Sequence, residues 1–363
     1  MSDVFTQTVL WHLAPVRALL DNERVSEVMV NGPDNIYVEI DGRVSKVKNA
    51  HFPGEDELRA ACVNLAQYVG RVLDEEHPRM DGRLPDGSRV HVVIPPVSRM
   101  IHLAIRKFGR KSFAPDDLVR SGSLTPTSAR YLNVALQLKK NILVSGGTGS
   151  GKTSLLNALS AFIPEADRVV VIEDTGELQL SRPHLVQLET RPSITMRDLL
   201  HSALRLRPDR IIIGEVRGGE ALDLLNALNS GHGGTMATLH ANSASSALTK
   251  LETLVLFAGE DLPIRAIRAQ VASAVDVVVQ IGRQRDGSRR IEQIAEVDPG
   301  LDSDGNYRTR DLFRLRHRPG PEGKIIAELL PTGHPPRWLQ DAIDRGYKLD
   351  AASFAANAAI TPS

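Results

Sequence analysis

One stretch of the chain, residues 141–154 (NILVSGGTGSGKTS), restricts the possible folds more than any other part. Gly146, Gly151, Lys152 and Thr153 fit the phosphate-loop pattern G-x-x-x-x-G-K-[ST] without a gap. An apolar run precedes the pattern, and apolar residues at helical spacing follow it. We therefore predict a strand, a glycine-rich turn and a helix that together hold the phosphates of a nucleotide.

The chemistry of phosphate binding explains each residue type in this loop. Glycines let backbone amides approach a phosphate chain closely, and the helix that follows adds its positive N-terminal end. Lys152 is expected to reach the outer phosphates, and the Thr153 hydroxyl to take one coordination place on Mg²⁺. The predicted nucleotide-binding residues are Gly146, Gly147, Thr148, Gly149, Ser150, Gly151, Lys152, Thr153 and Ser154.

The length, net charge and cysteine content of the chain limit the number of domains, the kinds of binding partner and the disulfides that it can have. A chain of 363 residues is too long for most single cores, so two or three domains are expected. Its 44 basic and 44 acidic side chains give a formal net charge of zero, so no global field attracts nucleic acid or an anionic membrane. The single cysteine, Cys62, excludes an intramolecular disulfide.

The sequence contains no run of about 20 apolar residues of the kind that spans a bilayer. The first residues also lack the charged and apolar regions of a secretory signal. We therefore expect a cytoplasmic protein, whose membrane association would be peripheral and would depend on partners.

We infer the domain organisation from turn-forming residues and from the alternation of predicted strands and helices. We predict a small α+β domain at 1–110, a proline- and serine-containing linker at 111–129, an α/β domain at 130–316 and a tail with a short helix at 317–363. Apolar strands alternate with helices in the α/β part, which predicts a mostly parallel sheet with ligands at the strands' carboxyl ends. These strands are expected at 142–144, 168–172, 210–213 and 234–239.

Local signals also predict helix ends. Thr195 and Asp198 have the spacing of a capping box, so a helix should begin there. Asp261 and Pro263 suit the N-cap and first position of another helix, and Gly70 suits the C-terminal end of the helix that contains Cys62.

Acidic residues follow two of the predicted strands, where phosphoryl-transfer enzymes need them. Glu215 is our candidate for contact with magnesium, and Glu173 for polarising the attacking water, with Asp174 in support. The roles of Glu173 and Glu215 could be exchanged. Gly214 stands where an aspartate often precedes such an acid, which gives more weight to the Glu173 segment.

Two histidines, His232 and His240, flank the strand predicted at 234–239. No cysteine accompanies them and the strand would hold them apart, so we do not predict a transition-metal site. A histidine at the strand end could instead contact the outer phosphate and report its loss to the rest of the domain.

The motifs together resemble the signature boxes of the type II/IV secretion ATPases. GGTGSGKTS, IEDTGEL, LRLRPDRIIIGEVRGGEA and SGHGGTMATLHANS occur in the same order as in that family, and the likeness covers roughly residues 25–315. The resemblance implies a RecA-like motor domain and the boxes Gly146–Thr153, Glu173–Glu177, Gly214–Arg217 and His232–His240. Asp174, Glu177, Arg217 and His232 would support the catalytic residues Glu173, Glu215 and His240.

The resemblance also implies partners and chemistry. Family members form hexameric rings under an inner-membrane machine and use ATP and Mg²⁺, so this chain would be an ATPase. N-terminal arginines reach the nucleotide at a domain or subunit junction, and the candidates here are Arg83, Arg89 and Arg106. The branch that powers conjugation and type IV secretion looks closest, and the pilus-assembly branch of type II systems is a near neighbour.

Two other functions are compatible with a phosphate loop. A nucleic-acid translocase would need stacking rings and basic grooves, whereas only 4% of the residues are aromatic and the net charge is zero, so direct DNA binding is not expected. A nucleotide-switched regulator that barely hydrolyses is the third possibility. The acids at the strand ends favour turnover over such a switch.

Overall fold

The computed structural model describes residues 11–40, 42–84, 86–107, 113–191, 193–284, 286–319 and 325–356. The chain divides into two compact units, Met1–Lys111 and Ser112–Ser363. Most of the predicted linker and the whole predicted tail therefore belong to the second unit. The bounds of the four segments drawn from the sequence remain predictions.

The first unit is built on an antiparallel sheet. Its strands are β1 (Val25–Asn31), β2 (Ile36–Ile40), β3 (Arg43–Lys46), β4 (Arg79–Arg83), β5 (Arg89–Val93) and β6 (His102–Arg106). They pair in the order β3-β2-β1-β6-β5-β4. Buried apolar residues alternate with more exposed ones along β5, β6 and the second half of β1, as at Val28, Val90 and Leu103. Helices α1 (Ala14–Asp21) and α2 (Glu55–Tyr68) complete the core on that face of the sheet.

The second unit is built on a larger sheet. Its strands are β7 (Ile142–Ser145), β8 (Val169–Glu173), β9 (Leu185–Glu189), β10 (Arg210–Ile213), β11 (Met236–Leu239), β12 (Val277–Arg283), β13 (Arg289–Leu301), β14 (Tyr307–Pro319) and β15 (Ile325–Pro331). They pair in the order β15-β14-β13-β12-β7-β11-β10-β8-β9. The strands from β12 to β9 in this order are parallel, and β13, β14 and β15 extend the sheet antiparallel.

Helices cover both faces of the second sheet. They are α3 (Pro115–Arg120), α4 (Pro126–Gln137), α5 (Lys152–Ser160), α6 (Met196–Arg205), α7 (Glu220–Asn229), α8 (Ala244–Leu256) and α9 (Ile264–Ala274). Leu143 and Ile172 join one apolar cluster, whereas their neighbours Val144 and Val171 join the other. Burial on both faces explains why these strands are continuously apolar.

The carboxyl ends of the parallel strands lie at one edge of the sheet. Leu239 is paired with Ser145, so the ends of β11 and β7 are level. Ile213 is paired with Ile172, so β10 and β8 are level as well. This register brings the residues that follow these four strands to one edge.

Residues after β15 pack on the second unit. The Trp338 ring stacks on Tyr131 at a centroid distance of 5.3 Å, and Phe354 packs edge-on against Tyr131 at 6.2 Å. Helix α10 (Leu339–Asp344) contributes Ala342 to the same apolar cluster. In the described part of the chain, no helix has the length and apolar character needed to cross a membrane.

Candidate active site

The phosphate loop joins β7 to α5 and has the backbone that the sequence pattern predicts. Gly149 and Gly151 have φ angles of 68° and 99°, in the left-handed region that favours glycine. Gly146 is needed for a different reason, because a Cβ there would collide with the carbonyl oxygen of Ile281 on β12. These three glycines are therefore required by the shape of the loop.

Lys152 is folded into the loop at the first position of α5. Its side chain is buried, and Nζ donates to the carbonyl oxygens of Gly146 and Gly147 at 3.1 Å each. Nζ also lies 3.3 Å from Nδ1 of His240. The ammonium group is thus held inside the loop, where an anionic phosphate chain would find it.

A hairpin formed by β12 and β13 lines the outer side of the phosphate loop. Besides the approach of Ile281 to Gly146, Nε of Arg289 donates to the Gly149 carbonyl at 3.0 Å. Sequence reasoning missed this contact. The D-G turn signal could have predicted the hairpin, but nothing local predicts what it touches.

A chain of polar contacts runs from the loop to the other strand ends. Nε2 of His240 lies 2.7 Å from Oε1 of Glu215. Glu215 Oε2 accepts a hydrogen bond from Arg217 at 2.6 Å, and Arg217 also bonds Asp174 at 3.1 Å. Residues of the boxes Gly214–Arg217, His232–His240 and Glu173–Glu177 therefore meet beside Lys152.

The environment keeps His240 neutral at neutral pH. Burial and the Lys152 ammonium lower the pKa of the imidazole below its usual value, while Glu215 acts in the opposite direction. A neutral imidazole can accept a hydrogen bond from Lys152 at Nδ1 while its Nε2–H faces Glu215. His240 thus links the phosphate-loop cation to the strand-end acid.

Glu173, the last residue of β8, is a buried acid. Its side chain is 3% exposed, and Oε1 accepts hydrogen bonds from the backbone N–H groups of Glu177 and Leu178 at 2.9 and 3.1 Å. Burial raises the pKa of this carboxyl to about 7, although the two N–H groups lower it. An acid with this pKa can change its ionisation near neutrality, as a group that polarises water must.

Gly214 provides the space that Glu173 occupies. A Cβ at position 214 would lie 2.9 Å from Cγ of Glu173, closer than carbon atoms pack. The aspartate often found at this position would therefore collide with Glu173. Glycine in place of aspartate at position 214 therefore goes together with the buried Glu173 side chain beside it.

Three buried polar atoms of this region have no hydrogen-bond partner among the described residues: Ser150 Oγ, Glu173 Oε2 and Glu215 Oε1. Glu215 Oε1 has an ion-pair contact with His240 Nε2 at 2.7 Å, but it accepts no hydrogen bond from any residue that the structure describes. Buried polar atoms normally find a partner, so these three indicate a site that a polar ligand completes. Carboxylate and hydroxyl oxygens are the ligands that Mg²⁺ prefers, and Glu215 with Thr153 fits it.

Some predicted residues lie elsewhere. His232 precedes β11, whereas His240 follows it, so the strand separates the two histidines. His232 Nδ1 lies 3.3 Å from the Ala227 carbonyl at the end of α7, and the structure does not bring His232 to the phosphate loop. Glu177 is near the site through its backbone, which donates to Glu173.

The three candidate arginines belong to the first unit. Arg83 is directly opposite Arg89, Arg89 is opposite Arg106, and Arg106 is opposite Glu27. Directly paired residues of antiparallel strands project from the same face of the sheet. The arginines therefore form one cross-strand row, which ends at the acid Glu27 opposite Arg106.

Known proteins resemble the chain in sequence. A family model described as "Type II/IV secretion system protein" matches residues 10–308. The conjugal transfer protein TrbB of Rhizobium radiobacter is 38% identical over 283 residues, which are 77% of this chain and 85% of that protein. The type IV secretion system protein VirB11 of Bartonella henselae is 33% identical over 328 residues, 78% of this chain and 91% of that protein.

A solved structure resembles the fold. The crystal structure of the pilus retraction motor PilT with bound ADP superposes with a TM-score of 0.57 at 20% identity, over 93% of this chain and 85% of that chain. At this identity the likeness concerns the fold alone.

Proposed function

The chain belongs to the type II/IV secretion system protein family, and on this premise we propose that it is an ATP-hydrolysing motor that powers a type IV secretion or conjugative transfer apparatus. The resemblance seen in the sequence motifs is confirmed by the family match and by the relatives TrbB and VirB11. The expected α/β fold is confirmed as well.

One observation carries the proposal. Lys152, His240, Glu215, Arg217 and Asp174 form a continuous chain of contacts at the sheet edge where the phosphate loop lies. A loop that only bound phosphate would not need acids gathered around its lysine. The buried Glu173 Oε2, which has no hydrogen-bond partner among the described residues, further favours a site that a polar ligand completes.

The geometry supports a distinct role for each residue. The loop amides and Lys152 would bind the phosphate chain of ATP, and Thr153 with Glu215 would hold Mg²⁺, which neutralises charge on the phosphates. Glu173 would orient and polarise the attacking water once ionised. His240, which contacts both Lys152 and Glu215, would report the loss of the outer phosphate.

The relatives favour one branch of the family. Identity is 38% to a conjugal transfer protein and 33% to a type IV secretion protein, but 20% to the pilus motor PilT. The pilus-assembly or type II secretion ATPase is therefore the second candidate. We keep the nucleic-acid translocase last, because the chain has zero net charge and 4% aromatic residues.

The assembly belongs to the proposal too. By likeness to its family, the chain would form a homo-hexameric ring at the cytoplasmic face of the inner membrane and attach there through secretion or transfer proteins. One arginine of the row formed by Arg83, Arg89 and Arg106 would reach the nucleotide at a domain or subunit junction. ATP turnover by the three single alanine variants identifies which arginine does so.

Replacement of Lys152 tests the site. Lys152→Ala removes the only side-chain cation of the phosphate loop, so ATP turnover should fall by roughly a thousandfold, the scale of a lost charge contact in phosphoryl transfer. The measurement is phosphate release at saturating ATP and Mg²⁺.

Lys250→Ala is the matched control, since Lys250 is an exposed lysine on α8. This variant should hydrolyse ATP like the unaltered protein. Normal steady-state turnover by Lys152→Ala would disprove the assignment of the site.

A further inference from the structure

The hairpin that lines the phosphate loop carries a charge that the proposed mechanism does not use. Arg289 is exposed at the first position of β13, across from Arg283 on β12. Its Nε donates to the Gly149 carbonyl at 3.0 Å, although the two residues are 140 positions apart in the chain. The contact is therefore made by the fold and not by chain proximity.

The stem of Arg289 also lies against the loop. A Cβ at Gly151 would stand 3.0 Å from Cδ of Arg289 and 3.8 Å from its Nε. Two glycines of the phosphate loop, Gly149 and Gly151, are thus contacted by one side chain. Because the terminal nitrogens are bonded next to Nε through a single carbon, the positive charge lies beside the residues that cradle phosphates.

The backbone of Arg289 is held in place from the other side. Ser123 Oγ donates to the Arg289 carbonyl at 2.8 Å. The next residue, Arg290, turns away from the loop and donates from Nη1 to the Ser121 carbonyl at 2.8 Å. The two adjacent arginines therefore make different contacts, and of the two Arg289 is the one that contacts the phosphate loop.

Within the part of the chain that the structure describes, the Arg289 side chain makes no hydrogen bond or ion pair beyond that to Gly149. A guanidinium has five N–H donors, so most of its capacity remains for another acceptor. We propose that Arg289 is a second cation of the nucleotide site, which positions the phosphate loop through Gly149 and attracts the phosphate chain of a nucleoside di- or triphosphate. This inference rests on the proposed function.

Equilibrium binding of ADP to the purified full chain tests it, by calorimetry at about 0.05 M and about 0.5 M salt. Arg289→Ala should weaken ADP binding by roughly tenfold at low salt, the scale of a charge-assisted hydrogen bond. The loss should shrink at high salt because ions screen an exposed charge. Arg289→Lys, which keeps the charge but not the fork, should recover part of the low-salt affinity.

Arg290→Ala is the matched control, and it should bind ADP like the unaltered chain. Equal affinity of Arg289→Ala and the unaltered chain would overturn the inference. A loss that is the same at both salt concentrations, or the same in Arg290→Ala, would also overturn it, because it would report hairpin structure and not charge.

Two further titrations separate this inference from the proposed function. If the unaltered chain binds ADP and Lys152→Ala does not, an unchanged Arg289→Ala refutes the role of Arg289 alone. If the unaltered chain binds no nucleotide, the proposed function and the role of Arg289 fail together.

Discussion

Glu173 shows that one residue of the site is held at a cost to the fold. Its pKa is raised from 4.5 to about 7 by burial, so the folded state disfavours the ionised carboxyl. The associated stability is fully present below pH 4.5 and is lost as the pH rises through about 7. At higher pH the cost is on the order of 3 kcal/mol.

The rate of ATP hydrolysis should therefore depend on the ionisation of Glu173. We expect kcat to rise with pH and to level off above about 7, because only the carboxylate can polarise water. Glu173→Gln should bind ATP yet turn over slowly at every pH. The measurement is kcat between about pH 5.5 and about pH 9, where a bell or step reports the groups that act in the bound complex.

Glu165→Gln is the control, because Glu165 is exposed in the loop after α5. It should keep both the rate and the pH profile of the unaltered protein. An unchanged rate in both Glu173→Gln and Glu215→Gln would remove the catalytic roles of these two acids.

At the residue scale, the sequence predicted the groups that local patterns specify. Lys152, Glu215 and His240 each follow a recognisable strand or glycine pattern, and the structure brings them together. His232 belongs to the same pattern as His240, yet the strand between them holds it away. Arg289 was missed because its contact with Gly149 depends on tertiary packing, which no window of sequence contains.

At the scale of elements, the ends of β8 and β10 depend on each other. Their residues are paired up to Ile172 and Ile213, so Glu173 and Gly214 extend the same register. A side chain at Gly214, at the end of β10, would have to displace Glu173 at the end of β8. The residue type that fits at the end of one strand thus depends on the side chain at the end of the neighbouring strand.

Gly214→Ala tests this dependence. The added Cβ would lie 2.9 Å from Glu173 Cγ and must displace the acid. We expect kcat to fall by about tenfold or more, the scale of a lost general base, while nucleotide binding stays close to that of the unaltered protein. The measurement is kcat together with ADP affinity.

Gly300→Ala serves as the comparison, since the nearest atom to a Cβ there is 3.9 Å away. It should leave both quantities unaltered. A Gly214→Ala protein with normal kcat would show that Glu173 can move aside without consequence, against the close packing that we describe.

Helix ends show which sequence signals suffice. The capping box of Thr195 and Asp198 is confirmed, with α6 beginning at Met196 and both reciprocal hydrogen bonds formed. Gly70 follows α2 with a φ of 69°, as a C-terminal glycine should. The prediction for α9 was wrong, because Pro263 is the N-cap and not the first helical residue, and Asp261 caps nothing.

At the scale of the whole molecule, the division into two units follows from composition and turns, but the assembly does not. Short-range patterns specify each sheet and its buried faces. The row of Arg83, Arg89 and Arg106 needed the pairing of three strands, which the spacing in sequence conceals. The sequence of one chain does not specify how subunits assemble, so we infer the ring only from the likeness to the family.

Particle mass tests the proposed ring. With ATP and Mg²⁺ present we expect a species of six copies, because nucleotide would be shared between a site and a neighbouring arginine. The measurement is light scattering or mass photometry with and without the nucleotide. AMP is the control, since it lacks the phosphate chain that Lys152 and the loop would hold.

A strict monomer under all these conditions would count against the ring and against an arginine supplied by a neighbour. It would leave the nucleotide site itself in place, since that site lies within the second unit.

The aromatic stack of Trp338 on Tyr131 changes how a shortened protein should be interpreted. Tyr131 lies on α4, near the start of the second unit, so the last described residues pack into the core of that unit. Removing them would strip cover from Tyr131 and Phe313. A loss of activity after such trimming would therefore report a damaged core of the second unit, and it would not show that the tail has a function of its own.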